Sequence, residues 1–340
     1  MKWAVLALLC CGCFTTGYLT QAAAGQYDLL HRARPISKVL ADPNVSDEVK
    51  ERLAEVDAVK DFGRSHGLTP TNNYQRYSDL KRDAAVYVVQ ACAPLSFDVK
   101  RWSFPIVGSV PYLGFFAPAP AKALAQRLEQ EERLDVSVRT ASAYSTLGWF
   151  RDPVLSTMIP ASDDAAGSLA NTILHESVHA TVYLKSQSSF DESLASFVAD
   201  QLTPGYLAHR YGFFSPPVRA WFDGERRSER YLKRMHEAYV ALDALYKSSR
   251  GNEEKLTEKK RILEQLRQEL GLKRTLNNAA LAGFQTYAAS PEGFQRLLDA
   301  CGSVPKLMQA VATLTDGDFE KPQQSEFDGV LDALAARRCR

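Results

Sequence analysis

The chain has 340 residues, 45% of them hydrophobic, enough to bury one large core or two smaller ones. Lys plus Arg number 41 against 40 for Asp plus Glu, and a net charge of +1 offers nothing to a polyanion. Aromatic residues do not interleave with basic runs, so no nucleic-acid partner is expected.

The start reads as that of an exported protein. Lys2 supplies a minimal positive region, and residues 3–9 form a short apolar run. That run is far below the roughly 20 residues that span a bilayer, which suits a cleaved signal segment over residues 1–12. It ends in Cys10-Cys11-Gly12-Cys13, the pattern of a bacterial lipobox. The small Gly12 selects Cys13 as the lipidated residue over Cys10 or Cys11, although Cys10 stands where Leu is usual. An ordinary buried N-terminal helix is the competing reading. A lipid on Cys13 makes the protein tethered, not spanning, on the periplasm-facing side of the cell envelope, at the outer membrane.

Residues 14–90 read as mostly helical, with Val45, Val49, Leu53, Val56 and Val59 at helical spacing among charges. Arg34-Pro35 and Leu68-Thr69-Pro70 mark breaks. Trp102 to Pro120 turns to Pro, Gly and aromatics, the texture of short strands and turns. Residues 121–133 form a helix, and Leu134, Val136 and Val138 then alternate with polar residues as in a half-buried strand. Residues 154–159 are a candidate second strand. Helices follow over 168–185 and 189–202. From Pro217 to Lys273 charge is dense on a helical apolar pattern, interrupted at Ser248 to Asn252, which predicts a long antiparallel helical hairpin. Short helices complete the chain. Beyond the signal only Cys92, Cys301 and Cys339 remain, without CxxC spacing; they allow one disulfide and one leftover thiol, the pairing open.

His175-Glu176-Ser177-Val178-His179 is an HExxH motif. Residues four apart share one helix face, so both imidazoles can aim at one ion while Glu176 stands beside them as a base. Leu169, Ile173, Val178 and Val182 supply the apolar side of such a helix. A catalytic zinc needs a third protein ligand and an open position, and Glu192, thirteen residues after His179, can supply the ligand across a turn. Two competing readings stand. The histidines can be solvated residues on an ordinary helix, and Ser189 with Glu192 fits a capping box, with Asp191 as a further cap or weaker ligand.

Ala143 to Leu155, with His175 to Ala180 and Phe190-Asp191-Glu192, resembles the bacterial putative aminopeptidase family, a gluzincin-like group of HExxH proteins often found as lipoproteins. The resemblance extends through Gly25-Gln26, Ala33 to Ile36, Tyr77 to Leu80, Trp102 to Tyr112 and Leu276 to Ala279. It implies an α+β, predominantly helical fold: a zincin-like core with an active-site helix and small sheet, plus the hairpin. One metallopeptidase domain would span 13–340, with a zinc core at 131–215 and the hairpin inserted at 217–273. It also implies one catalytic Zn2+ on His175, His179 and Glu192, with Glu176 as general base. Ser103 and Ser109 stand where relatives often have Cys, so a disulfide there is absent, and Asp191 replaces a common Asn.

The expected activity is hydrolysis of a peptide or protein substrate, aminopeptidase or endopeptidase, since no acidic motif for a free amine is found. Tyr144, Tyr287 and His209 are candidate oxyanion donors, and residues 146–149 can pair with an extended substrate as an added strand. Two alternatives remain: an envelope lipoprotein without activity that binds a partner through its hairpin, and a zinc amidase acting on cell-wall peptides.

Overall fold

The structure, a computed structural model, describes residues 2–104, 108–144, 151–162, 164–282, 291–322, 324 and 326–339, excluding the side chains of residues 2–13, 108 and 291. Along the chain, helix α1 (Lys2–Arg32) precedes strand β1 (Arg34–Pro35) and the short α2 (Ile36–Leu40). Helix α3 (Asp47–Ala54) starts where the Ser46 hydroxyl accepts the Val49 N–H, and its Asp47 and Glu48 suit the positive end of the dipole. Helix α4 (Val56–Ser65) buries Val56 and Val59. Then come strands β2 (Arg76–Ser78), β3 (Val86–Cys92), β4 (Trp102–Phe104), β5 (Gly108–Val110) and β6 (Leu113–Phe115). Helix α5 (Pro118–Glu131) opens on a proline, which needs no N–H partner there. Strands β7 (Asp135–Ala141) and β8 (Val154–Leu155) follow, the latter running into a single 3-10 turn. The rest is helical: α6 (Ala165–Thr181), α7 (Ser188–Tyr211), α8 (Pro216–Lys247), α9 (Asn252–Glu269), α10 (Asn278–Ala282), α11 (Pro291–Cys301), α12 (Val304–Val311) and α13 (Asp328–Arg338). The fold is α+β and predominantly helical.

Two compact units share the chain. The first comprises residues 1–33, 78–145 and 230–284, the second 34–77, 146–229 and 285–340. In the first, β3 is the centre of the antiparallel sheet β6–β3–β7. Six of its seven residues are buried and the seventh partly so, the near-continuous burial of a covered central strand. Helix α5 covers this sheet with Ala121, Leu124, Ala125 and Leu128. Helix α1 docks on it through Tyr18, whose hydroxyl accepts the Gly114 N–H at 3.2 Å. A Cβ at Gly25 would lie 2.1 Å from the Phe116 ring, so only glycine allows that close approach.

The α8–α9 hairpin belongs to the first unit from Arg230 onward. Met235, Ala238, Leu242 and Leu245 pack against Leu263 and Leu266. Lys259 on α9, 7% exposed, bonds the Asp135 carboxylate and the Pro94 carbonyl. Asn277 and Asn278 continue this seam. Asn277 donates to the Val136 carbonyl at 2.7 Å, and the Asn278 amide donates to the carbonyls of Ala93, Pro94 and Ser96.

The expectation of a mostly helical 14–90 holds only to Ser65. Beyond it lie β2 and β3, whose apolar run Val86-Tyr87-Val88-Val89 is β-branched and aromatic. The candidate strand at 154–159 is two strand residues followed by the 3-10 turn. Cys301 pairs with Cys339, and Cys92 is the buried free thiol, its pKa pushed up to about 12 by burial. No helix among the described residues is long and apolar enough to cross a membrane.

Candidate metal centre

Helices α6 and α7 form an antiparallel pair in the second unit. Leu169, Ile173, Leu174 and Val178 on α6 are 0–1% exposed, as are Leu194, Ala195, Val198 and Ala199 on α7. Removing such side chains from water is worth roughly 1.5–3 kcal/mol apiece, which fixes the rotation of each helix about its axis. Small residues bring the backbones together. Gly167 lets α6 approach α8 as well, since a Cβ there would lie 2.8 Å from the Trp221 ring. Asn171 locks the register across the pair, donating to Asp200 at 2.8 Å and Thr203 at 3.2 Å.

With the apolar faces fixed, His175 and His179 fall on the flank of α6, half-buried. The turn to α7 is equally constrained. Both oxygens of Asp191 accept the Leu184 N–H at 3.1 Å, and Gln187 bonds Lys321 and Gln324 through its side-chain amide. Asp191 is therefore the brace of the turn and stands outside the ligand group. Burial raises its pKa to about 6, against the Leu184 bond. The capping box at Ser189 does not form: α7 begins at Ser188 after Gln187, with no side-chain cap. Glu192 points instead at the histidines.

The Nε2 atoms of His175 and His179 lie 3.1 Å apart. Glu192 oxygens lie 3.3 Å from His175 Nε2 and 3.6 Å from His179 Nε2. Among the described residues these three form the one cluster able to hold a metal ion, with ligand atoms within 4.8 Å of one another. Tetrahedral zinc with bonds of about 2.05 Å has ligand–ligand edges of about 3.3 Å. The three measured separations bracket that edge, and two imidazoles with one carboxylate leave a fourth corner open. The donor set and spacing fit zinc. His179 Nδ1 is buried without a partner, so the polar contacts that aim the ring are at Nε2, which faces Glu192 and His175.

Electrostatics agree with this geometry. Desolvation works against the Glu192 charge, yet hydrogen bonds from His175 and His179 outweigh it and hold its carboxyl down at about 2. Burial likewise opposes a charged His179, and Glu192 reverses the balance, raising its pKa. Glu176 behaves oppositely to Glu192. Burial raises its pKa, the two imidazoles pull against the rise, and Asp152 and Glu192 add to it. Adjacent carboxyls of opposite tendency are how one site separates a ligand from a proton carrier.

Two buried residues that share an electrostatic influence with Glu176 escaped the sequence reading. Asp152 is 3% exposed and Tyr74 is 5% exposed. The Tyr74 phenol is pushed well above its usual range by burial and by the charges of Glu176 and Asp152. The Asp-Pro of the 143–155 segment was a signal for the first. Tyr74, a hundred residues before the motif in an unremarkable Asn-Asn-Tyr, carried none.

The proposed oxyanion donors fare differently. His209 is exposed near the end of α7, seventeen residues past Glu192 and so about 25 Å along the helix, beside the Phe62 ring. It cannot serve the same carbonyl. Tyr144 packs edge-on to Phe116 within the first unit. Tyr287 and the 146–149 segment lie outside the described residues.

Compared with known proteins, the chain has no significant match to a curated protein or a solved structure. A family profile described as putative aminopeptidase matches residues 17–325, and the chain belongs to that family.

Proposed function

We propose that the protein is a zinc-dependent peptidase, with His175, His179 and Glu192 as ligands and Glu176 as general base. The observation that carries this reading is the agreement of the three ligand separations with the edges of a zinc tetrahedron. Bound zinc would supply Lewis acidity, polarising the scissile carbonyl and acidifying water. Glu176 takes one proton from the attacking water as its oxygen bonds the carbonyl carbon. It delivers that proton to the amide nitrogen as the C–N bond breaks, leaving acid and amine. Its raised pKa suits both halves of this transfer. Helices α6 and α7 hold base and ligands on rigid, buried backbones, which is what such a transfer needs.

Release of an N-terminal residue is the activity its family name implies. For location we propose the periplasm-facing cell envelope, with a lipid on Cys13. Lys2, the short apolar run and Gly12-Cys13 support it, as does the Cys301–Cys339 disulfide, which suits an oxidising compartment. The test pairs metal content with cleavage of a peptide library by wild type and Glu176→Gln. Stoichiometric zinc in both, with activity in the variant down about 10²-fold or more, is expected. Equal cleavage by the two proteins would sink the general-base role.

A further inference from the structure

The connection between α7 and α8 is a tight turn whose two central residues are phenylalanines. Helix α7 ends at Tyr211, and Gly212, at φ 91°, takes the chain out of it. The Gly212 N–H still donates to the Ala208 carbonyl at 2.9 Å. The Ser215 N–H then donates to the Gly212 carbonyl at 3.1 Å, closing a β-turn over Gly212-Phe213-Phe214-Ser215. From the other side, the Arg219 N–H donates to the Ser215 carbonyl at 3.2 Å and the Arg219 guanidinium to the Phe214 carbonyl. The backbone of the turn is therefore held at both ends, by α7 and by the first turn of α8.

Asn, Asp, Gly and Ser are the usual residues at such an apex, where they meet water at little cost. Phe213 and Phe214 are instead 78% and 90% exposed, the two most exposed large hydrophobic residues among those described. Rings this far out in water add little to folding, and a local rule broken without a packing gain marks a surface used for binding. The surroundings carry one sign of charge. No Asp or Glu lies between Asp200 and Asp223, whereas His209, Arg210 and Arg219 are exposed there, in a chain of net charge only +1. The Arg210 guanidinium sits 5.5 Å from the Tyr211 ring centre and makes no ion pair among the described residues. Two phenylalanines offer about 300–500 Å², short of the roughly 800 Å² that each side of a stable protein interface supplies. The same pair suits a bilayer surface, which takes aromatic rings at headgroup depth while cations beside them meet lipid phosphate.

We propose that the Phe213–Phe214 turn is a membrane-docking element, inserting both rings into the interface of a bilayer that contains anionic phospholipid, with Arg210 on lipid phosphate. The turn belongs to the second unit, and Cys13 to the first, so this contact is separate from a lipid anchor. It is equally independent of the peptidase reading.

The experiment uses the full chain with vesicles of equimolar phosphatidylcholine and phosphatidylglycerol. Wild type and the double variant Phe213→Ser, Phe214→Ser share the N-terminal apolar segment, so the ratio of their partition coefficients in flotation isolates the turn. Partition of the double variant should be about 10²-fold weaker. Arg210→Gln should bind these vesicles about fivefold more weakly, and vesicles of phosphatidylcholine alone as wild type does. Thermal midpoint and metal content should match wild type throughout, because the altered side chains stand in water. Phe214→Trp reads insertion directly: its added fluorescence should be quenched by lipids with brominated acyl chains. Equal partition of wild type and double variant overturns the proposal, as does added Phe214→Trp fluorescence that brominated lipid leaves unquenched. Arg210→Gln that binds like wild type overturns the preference for anionic lipid. Dimerisation of wild type that the double variant loses, with no difference on vesicles, overturns it in favour of a second copy of the chain.

Discussion

The α6–α7 pair and the α8–α9 hairpin are both antiparallel helix pairs, yet they spend their polar residues in opposite ways. Along α8 and α9 charge is abundant and exposed: Arg234 bonds Glu237 and Glu269, Arg261 bonds Glu258, and Arg267 bonds Glu264. On α6 and the first turn of α7 the ionisable groups are few and withdrawn from water, and His175, His179 and Glu192 converge. Glu192 reaches two histidines at once, while Glu176 and Asp191 are pushed toward their neutral forms by burial. A charge on a solvated face costs and contributes little, so it can be repeated freely. A charge drawn out of water must be paired, and pairing fixes its geometry. The difference separates a scaffold from a site.

Removing one ligand breaks the comparison most directly. His179→Ala should lower zinc affinity about 10²- to 10³-fold, the share of one ligand in a typical structural-zinc binding energy. Competition with a chromophoric chelator measures it. Zinc at a hundred times its Kd should raise the stability of wild type by about 2.7 kcal/mol, and the same zinc concentration should raise the variant by about 0.4 kcal/mol or less. Next in size is the exception within the hairpin, its buried cation. Lys259→Ala strands Asp135 and the Pro94 carbonyl, and breaking such a pair costs about 3–5 kcal/mol. Urea unfolding followed in the hairpin should report that loss, with zinc affinity unchanged.

Legibility in the sequence followed the range of the interactions. HExxH is a local pattern, so His175, Glu176 and His179 could be placed on one face from spacing alone. The hairpin could be read because its apolar stripe and its Ser248 to Asn252 break are local too. Glu192 was ambiguous, since one tetrapeptide fits both a cap and a ligand; only the brace between Asp191 and Leu184 decides where α7 starts. Strand β3 was missed because a buried central strand has no alternation to set it apart from a buried helix. Tyr74 was invisible for a different reason. Its backbone conformation is held by its own bond to Asp152 and by the Lys60 bond to Asn73, and neither leaves a mark in the residues around it. Asn277 and Asn278, within the segment that carries the family resemblance, are stitches between hairpin and sheet.

Two milder substitutions sharpen the contrast. Gly167→Ala places a methyl 2.8 Å from the Trp221 ring, in the region that holds α6 in register. Overpacking of this kind costs about 1–3 kcal/mol. Because the indole is large and only 9% exposed, relief must come from a shift of α6 itself. The shift should appear as a lower thermal midpoint together with weaker zinc binding.

The smallest effect belongs to the solvated pairs. Glu264 is held down at about 2 by hydrogen bonds from Arg267 and Gln268, which in isolation suggests a strong interaction. The pair lies at the surface, however, where salt screens the attraction and ordering two long side chains offsets what remains. Glu264→Gln with Arg267→Gln should leave the thermal midpoint unchanged within error at 0.15 M salt. A clear loss that shrinks in 1 M salt would show that this face is an ion-pair network after all. The hairpin would then resemble the metal-site pair in using charge to hold its shape.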